Sequence, residues 1–243
     1  MEGPHLAREL LSTSLSVRRI LVSPQWKDSE EGRHLLPALR TRLEDSKAPQ
    51  RRILEVEAKI LASLMDADSP KGVLIEANLP RGDLATLPLQ ELGIYFLLDG
   101  VQDPGNVGAI ARVAESVGAA AIALAPGCAD PNHSRALRAS AGSLLRIPVA
   151  PRTPPQAVAR HLAPLAPRWV ALATRGGRPL WECPLDDALV LLVGAEGRGL
   201  SPEAQALATV QLTIPLASPV ESLNAAVAAA VVAFEAARQR QAQ

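Results

Sequence analysis

The sequence predicts an α/β protein with two domains, and three observations support this fold class. Short strands and helices alternate over the first part of the chain, a Pro- and Gly-rich stretch follows at residues 77–93, and apolar runs such as IYFLL at 94–98 come after it. Continuous apolar runs are typical of parallel strands buried on both faces. We therefore predict a small domain over residues 1–80, a linker over 81–93 and a larger parallel-sheet domain over 94–243.

The N-terminal domain is predicted from leucines at helical spacing and from short β-branched runs. Its expected helices span residues 4–14, 31–43 and 57–65, and its expected strands span 17–23, 52–56 and 72–76.

The C-terminal domain is predicted to alternate strands with helices up to a long Ala/Val helix that ends the chain. Expected strands span residues 94–98, 119–125, 145–149, 169–173, 189–193 and 210–214, and expected helices span 106–117, 132–143, 155–162 and 202–208. In such a sheet, ligands bind at the carboxyl ends of the strands.

Composition excludes several classes of protein. Hydrophobic residues make up 48%, enough for a substantial core, but no apolar run approaches the ~20 residues that span a membrane. The start, MEGPHLAREL, lacks the pattern of a secretory signal. Cys128 and Cys183 are too few and too far apart for a disulfide framework or a zinc site. We expect a reduced, cytoplasmic setting.

The charge is unevenly distributed although the formal net charge is zero. Residues 100–180 contain nine arginines and three acidic residues, whereas residues 181–243 contain three arginines and seven acidic residues. Arginine suits phosphate because its guanidinium offers a planar, bidentate fork. The alternative is an ordinary solvated surface. Aromatic residues are only 2%, which disfavours a base-stacking sheet.

The loop VGAEGRGL at residues 193–200 has its glycines in the order G-x-x-G-x-G. A dinucleotide fingerprint requires G-x-G-x-x-G and an acidic residue at the end of the next strand, where this chain has Ile214 and Pro215. A nicotinamide cofactor is therefore disfavoured.

Three blocks in order carry a more specific signal: DGVQDPGNVGAIARVAESVG, LLVGAEGRGLS and IPLASPVESLNAAVAAAVVAFEAARQR. They closely resemble the three motifs of the SpoU/TrmH family, which are S-adenosylmethionine-dependent RNA 2′-O-ribose methyltransferases of the SPOUT superfamily. The resemblance covers about residues 94–240. The N-terminal part resembles, more weakly, the small RNA-binding domain that many members carry and that is similar to certain ribosomal proteins.

The resemblance implies a deep trefoil knot in the C-terminal half and a homodimer whose methyl-donor pocket lies beside the subunit interface. It also implies a pocket lined largely by backbone, and adenine is well recognised by backbone groups within apolar surroundings. The cofactor-binding positions carried over by motif are Thr174, Gly177, Gly194, Gly199, Ile214, Leu216 and Leu223.

The catalytic positions that the resemblance implies are Asn106, Arg112, Glu196, Ser222 and Asn224. Arg112 corresponds to the family's proposed base, but a free arginine stays protonated in proteins. We expect Arg112 instead to clamp the phosphate beside the target ribose and to stabilise developing alkoxide, with the proton passing through water or phosphate. Asn106, Ser222 and Asn224 are expected to orient Arg112 and the ribose; helix capping is a serious alternative for Asn106 and Ser222. Glu196 is expected to fix its loop or an arginine.

The predicted function is therefore methylation of an RNA ribose 2′-hydroxyl with S-adenosylmethionine and no metal, since the four histidines show no paired spacing. Ribosomal RNA is favoured over transfer RNA, and Arg135 and Arg138, three residues apart on one predicted helix, are expected to contact it. One alternative is a non-catalytic RNA-binding or ribosome-assembly factor that retains the fold. Another is transfer to a base nitrogen.

Overall fold

The structure is a computed structural model that describes residues 1–45, 52–67, 69–78 and 82–241. The chain divides into two compact units, Met1–Arg81 and Gly82–Gln243. The predicted domain boundary at residues 80 and 81 lies outside the described residues.

The first unit is a three-stranded sheet with helices. Its elements are α1 (Gly3–Leu11), β1 (Ser16–Val22), α2 (Pro24–Lys27), α3 (Glu30–Asp45), β2 (Arg52–Glu55), α4 (Ala58–Ser63) and β3 (Val73–Asn78). Strand β1 is central, parallel to β2 and antiparallel to β3. The short helix α2 was not predicted, and it forms because the Ser23 hydroxyl accepts a hydrogen bond from the Trp26 amide at 3.2 Å.

The second unit alternates strands with helices, as predicted. Its elements are β4 (Ile94–Asp99), α5 (Pro104–Ser116), β5 (Ala121–Leu124), α6 (Ser134–Ala139), β6 (Val149–Ala150), α7 (Pro155–Leu162), β7 (Arg168–Leu172), β8 (Arg178–Pro179), β9 (Leu189–Gly194), α8 (Pro202–Gln205), β10 (Val210–Thr213) and α9 (Ala225–Gln241). Among the described residues, none of the helices combines the length and the hydropathy that a membrane-spanning segment needs.

The seven strands of the second unit form one parallel sheet in the order β6-β5-β4-β9-β7-β10-β8, which confirms the predicted parallel sheet. Every residue of β4 is buried, because neighbouring strands and helices cover both of its faces. Phe96 packs on one face with Ile110 of α5 and Val232 of α9. Tyr95 packs on the other face with Val158 of α7.

Two predictions around residues 132–149 are wrong. The predicted helix over 132–143 is shorter, because Ala141 and Gly142 adopt left-handed φ angles of 48° and 92° that end α6. The predicted strand over 145–149 is replaced by a 3₁₀ turn at Ser143–Leu145, and only Val149 and Ala150 join the sheet. Leu145 is buried as expected, but it lies in this turn and not in a strand.

The loops that follow β4, β7, β9 and β10 leave the sheet at its carboxyl edge, because all these strands are parallel. This edge contains the candidate site.

Candidate functional site

Asn106, Glu196 and Asn224 form a closed triangle of hydrogen bonds at the carboxyl edge of the sheet. The Asn224 side-chain amide donates to Glu196 Oε1 at 2.8 Å and to Asn106 Oδ1 at 3.0 Å. The Asn106 side-chain amide donates to the same Glu196 oxygen at 3.0 Å. These residues come from α5, the loop after β9 and the start of α9, so the triangle joins all three sequence blocks.

The two helices that hold the asparagines begin differently from the prediction. Helix α5 is capped by Asp103, whose carboxylate accepts from the Gly105 amide at 2.8 Å, and Pro104 occupies the first turn. Helix α9 is capped by Asn224, whose Oδ1 accepts from the Ala226 amide at 2.9 Å. The capping alternative for Asn106 and Ser222 is therefore wrong: Asn106 lies inside the first turn of α5, and Ser222 lies two residues before the cap.

Glu196 is held by a tight backbone hairpin. Ala195 and Gly199 exchange backbone hydrogen bonds of 3.0 and 2.9 Å. Gly199 has a φ of 70°, which favours glycine, and a Cβ added to Gly194 would lie 2.4 Å from the Gly199 carbonyl carbon. These two glycines are needed because the backbone crosses itself closely, and this crossing fixes the position of the Glu196 carboxylate.

A cavity of about 790 Å³ opens beside this hairpin, within the usual range of small-molecule sites. Six of the seven predicted cofactor positions line it: Thr174, Gly194, Gly199, Ile214, Leu216 and Leu223. Gly177 does not. Its amide donates to Thr213 Oγ1 at 2.9 Å, and an added Cβ would lie 2.6 Å from that oxygen, so Gly177 allows its loop to pack on β10.

The lining has the character that a nucleoside requires. Leu172, Val193 and Leu212 contribute apolar surface from three strand ends. Among the described residues, the main-chain groups of Leu216 and Leu223 make no hydrogen bond to other backbone groups. Unpaired backbone groups next to apolar walls can recognise the polar edge of adenine while its faces are covered.

Arg112 and Ser222 are less constrained than the triangle. Arg112 is exposed on α5, and its side chain has no hydrogen bond or ion pair with any described residue. Ser222 is exposed and lines the cavity. Arg112 thus lies six positions beyond Asn106 on one helix, but the structure does not bring it into hydrogen-bond contact with Asn106, Glu196 or Asn224.

The two predicted RNA-contacting arginines lie on α6, which packs against α5. Arg135 forms a 3.5 Å ion pair with Asp103, the cap of α5. Arg138 also has an interaction partner within the protein. The sequence did not indicate His133, which caps α6 by accepting from the Arg135 amide at 3.1 Å.

The two cysteines are separate from this site, since neither of them lines the cavity. Burial raises the pKa of the thiols of Cys128 and Cys183, which disfavours the reactive thiolate. Within the described ranges, no cluster of three or more His, Cys, Asp or Glu residues could hold a metal ion.

Comparison with known proteins places this site in a family. The model of the SpoU rRNA Methylase family matches residues 93–234, which include the whole triangle and all seven strands of the parallel sheet. The chain belongs to this family.

Two relatives of this SpoU family member are named as ribosomal-RNA methyltransferases. It is 29% identical to the 23S rRNA (guanosine(2553)-2′-O)-methyltransferase RlmP of Bacillus subtilis, over 96% of this chain and 86% of that protein. It is 31% identical to the 23S rRNA (uridine(2479)-2′-O)-methyltransferase of Streptomyces viridochromogenes, over 92% of this chain and 77% of that protein. This chain also resembles the crystal structure of the SpoU methyltransferase AviRb from Streptomyces viridochromogenes in complex with AdoMet. The two structures superpose with a TM-score of 0.84 at 28% sequence identity, over 99% of this chain and 89% of that chain.

Proposed function

We propose that this chain transfers a methyl group from S-adenosylmethionine to a ribose 2′-hydroxyl of RNA, and that its substrate is ribosomal RNA. The observation that carries the proposal is the hydrogen-bonded triangle of Asn106, Glu196 and Asn224 beside a nucleoside-sized cavity. Two relatives that align with nearly the whole chain are named for this reaction on 23S rRNA.

S-adenosylmethionine, when bound, supplies a methyl group activated by a sulfonium. The backbone at Gly194, Gly199 and Ile214 would hold its adenosine part, with the free main-chain groups of Leu216 and Leu223 facing the polar edge of the base. Cofactor-bound AviRb supports this assignment, because its chain shares the fold.

Arg112 is the residue that we assign to the RNA side of the reaction. Its guanidinium is exposed and uncommitted among the described residues, so its fork is available for the phosphate beside the target ribose. There it would hold the 2′-hydroxyl in line with the methyl group and stabilise the alkoxide that develops as the proton leaves through water or phosphate.

Asn106, Asn224 and Ser222 are assigned to positioning. The Glu196 carboxylate accepts from both asparagines, so it fixes the orientation of their side-chain amides. Ser222, at the cavity wall, has its hydroxyl available for the ribose. Glu196 itself serves as the anchor of the triangle.

RNA binding is assigned to the first unit and to Arg135 and Arg138 of α6. The helix α6 packs on α5, which carries Arg112, so its two arginines lie on an element next to the one that we assign to the RNA side of the reaction. We also assign the protein to the cytoplasm, where ribosomal RNA is found in bacteria such as the sources of the relatives.

A homodimer is part of the proposal. Val227 and Phe234, seven residues apart on one side of α9, are 49% and 53% exposed, and Val220 near the cavity is 53% exposed. Such a face beside the cavity suits a subunit interface. Phe234→Glu should therefore give a monomer in sedimentation velocity, whereas Ile60→Glu, at a site 54% exposed in the first unit, should not. A wild-type monomer at micromolar concentration would contradict the dimer.

The deep trefoil knot is also proposed. Strand β9 inserts between β4 and β7, and the chain after β10 returns to place α9 against α5, as a C-terminal segment threaded through an earlier loop would do. Tracing the backbone of residues 168–241 in an experimental density map tests this. A path in which α9 passes outside every preceding loop contradicts the knot.

The function is tested by incubating the protein with methyl-labelled S-adenosylmethionine and unmodified 23S rRNA or transfer RNA, followed by nucleoside mass spectrometry. We expect a 2′-O-methylnucleoside from the ribosomal RNA. A base-methylated nucleoside would favour transfer to nitrogen. Tight RNA binding with no transfer to any cellular RNA would favour the assembly-factor alternative.

A further inference from the structure

Arg198 occupies an unusual position in the cavity wall. It lies between Gly197 and Gly199 in the hairpin that follows β9, it lines the cavity, and its side chain is exposed. Both neighbouring glycines adopt left-handed φ angles, of 83° and 70°, so the turn is built to present this one side chain.

The other charged residues that line the cavity are already paired. Glu196 accepts hydrogen bonds from Asn106 and Asn224, and Arg175 forms a 2.9 Å ion pair with Glu221. Arg198 has no hydrogen bond or ion pair with any described residue. It is thus the charged wall residue that remains available for a ligand within the part of the chain that the structure describes.

The charge of Arg198 suits the RNA better than the methyl donor. At neutral pH, S-adenosylmethionine carries a sulfonium, an ammonium and one carboxylate, so positive charges outnumber negative ones. An arginine at the mouth would attract the carboxylate but repel the other two groups. The RNA backbone carries only negative charge, and an exposed, unpaired guanidinium can bind its phosphates without breaking an existing ion pair.

We propose that Arg198 binds an RNA phosphate at the mouth of the cavity and so helps to set the target nucleotide over the methyl donor. The assignment rests on the proposed function. It adds a second contact between the protein and RNA phosphate, made from the wall of the cofactor cavity, whereas Arg112 makes its contact from α5. The hairpin that presents Arg198 also holds Glu196, so an RNA strand bound by Arg198 would lie next to the triangle.

The test compares Arg198→Gln and Arg198→Lys with Arg160→Gln, a matched control at an exposed, unpaired arginine of α7 that does not line the cavity. Binding of an unmodified 23S rRNA transcript is measured over a range of salt concentrations, and binding of S-adenosylmethionine and 5′-methylthioadenosine is measured by calorimetry. We expect Arg198→Gln to weaken RNA binding about tenfold and to reduce the salt slope by about one, with unchanged cofactor affinity. Arg198→Lys should recover most of the RNA affinity, because a phosphate accepts a point charge.

Two outcomes overturn the proposal. In the first, Arg198→Gln matches Arg160→Gln in RNA affinity and in salt slope. In the second, Arg198→Gln loses affinity for S-adenosylmethionine but not for 5′-methylthioadenosine, which lacks the carboxylate and the amine. Arg198 would then bind the cofactor and not the RNA. A wild-type protein that binds neither RNA nor S-adenosylmethionine contradicts the proposed function itself, and the three results are therefore distinguishable.

Discussion

The side-chain amide of Asn224 donates to the Glu196 carboxylate at 2.8 Å while its side-chain oxygen caps α9. One asparagine thereby ties the last helix to the hairpin after β9. The same amide reaches Asn106 of α5, so three segments far apart in sequence share one hydrogen-bonded centre.

Substitution of Asn224 can separate its two roles. Asn224→Ala should lower the free energy of unfolding by about 1 kcal/mol through loss of the cap and should also lower turnover. Asn224→Ser can still cap α9, but its short side chain cannot bridge to Glu196, so we expect near-wild-type stability and at least ~10-fold lower turnover. Urea unfolding and methyl-transfer assays measure the two effects. Full turnover of Asn224→Ser would show that the reaction does not need the triangle of hydrogen bonds.

Substitution of Arg112 tests the phosphate clamp. Arg112→Lys keeps the positive charge but loses the planar fork, and we expect turnover to fall about 100-fold while the affinity for S-adenosylmethionine stays unchanged. Single-turnover kinetics and calorimetry provide the measurements, with Arg160→Lys as the control. Near-full turnover of Arg112→Lys argues against a bidentate contact.

Substitution of Gly194 tests the backbone crossing. Gly194→Ala would place a Cβ 2.4 Å from the Gly199 carbonyl carbon, so we expect a loss of about 2 kcal/mol or more and a large loss of affinity for S-adenosylmethionine. Gly127→Ala is the matched control: its φ is 92°, but an added Cβ has no atom within 4 Å. That variant should lose about 1 kcal/mol from strain alone and bind the cofactor normally. Equal cofactor binding by both variants would show that the crossing does not shape the cavity.

Neutralising α6 tests its contribution to RNA binding. The double variant Arg135→Gln, Arg138→Gln should weaken RNA binding and reduce the slope of log affinity against log salt by about 0.9 for each phosphate that the two arginines neutralise. Filter binding over a range of salt concentrations measures the slope. An unchanged slope would show that α6 does not touch the RNA.

The ion pair between Glu115 of α5 and Arg146 gives a pH-dependent stability. Arg146 donates to both carboxylate oxygens, at 2.6 and 2.8 Å, and these hydrogen bonds lower the pKa of Glu115. A lowered folded-state pKa stabilises the protein above the ordinary carboxyl pKa of about 4.3, and the contribution is lost as the pH falls through the lowered value.

We therefore expect Glu115→Gln to cost about 1 kcal/mol at neutral pH and progressively less as the pH drops below about 4. Urea unfolding at several pH values measures the difference in free energy of unfolding between wild type and Glu115→Gln. The control is Glu91→Gln, because Glu91 is exposed. If the difference in free energy of unfolding stays constant over this pH range, the effect of Glu115→Gln comes from packing and not from charge.

The parallel sheet could be predicted from sequence because its strands are continuous apolar runs. β4 and β9 are buried almost throughout, and burial on both faces leaves a clear compositional signal. The two-residue strands β6 and β8 leave no such signal. Residues 141–142 ended α6 through left-handed φ angles, and at Ala141 this conformation could not be anticipated from the residue type.

The candidate site could be predicted only through the resemblance of its motifs. No periodicity places Asn106, Glu196 and Asn224 together, because 118 positions separate the two asparagines. The close backbone packing of two glycines could not be predicted either. A Cβ added to Gly177 or Gly194 would collide with neighbouring protein atoms, and Gly194 also lines the cavity. Arg198 was missed because a single arginine in a glycine turn carries no recognisable pattern.

We propose that this chain methylates a ribose of ribosomal RNA through the Asn106–Glu196–Asn224 site with Arg112. The most direct measurement maps 2′-O-methylation across the ribosomal RNA of cells with and without the gene, complemented by wild-type protein or by Arg112→Gln. We predict that one nucleotide loses its 2′-O-methyl mark without the gene and that wild-type protein restores it but Arg112→Gln does not. A methylation map that is identical in all four strains would contradict the claim.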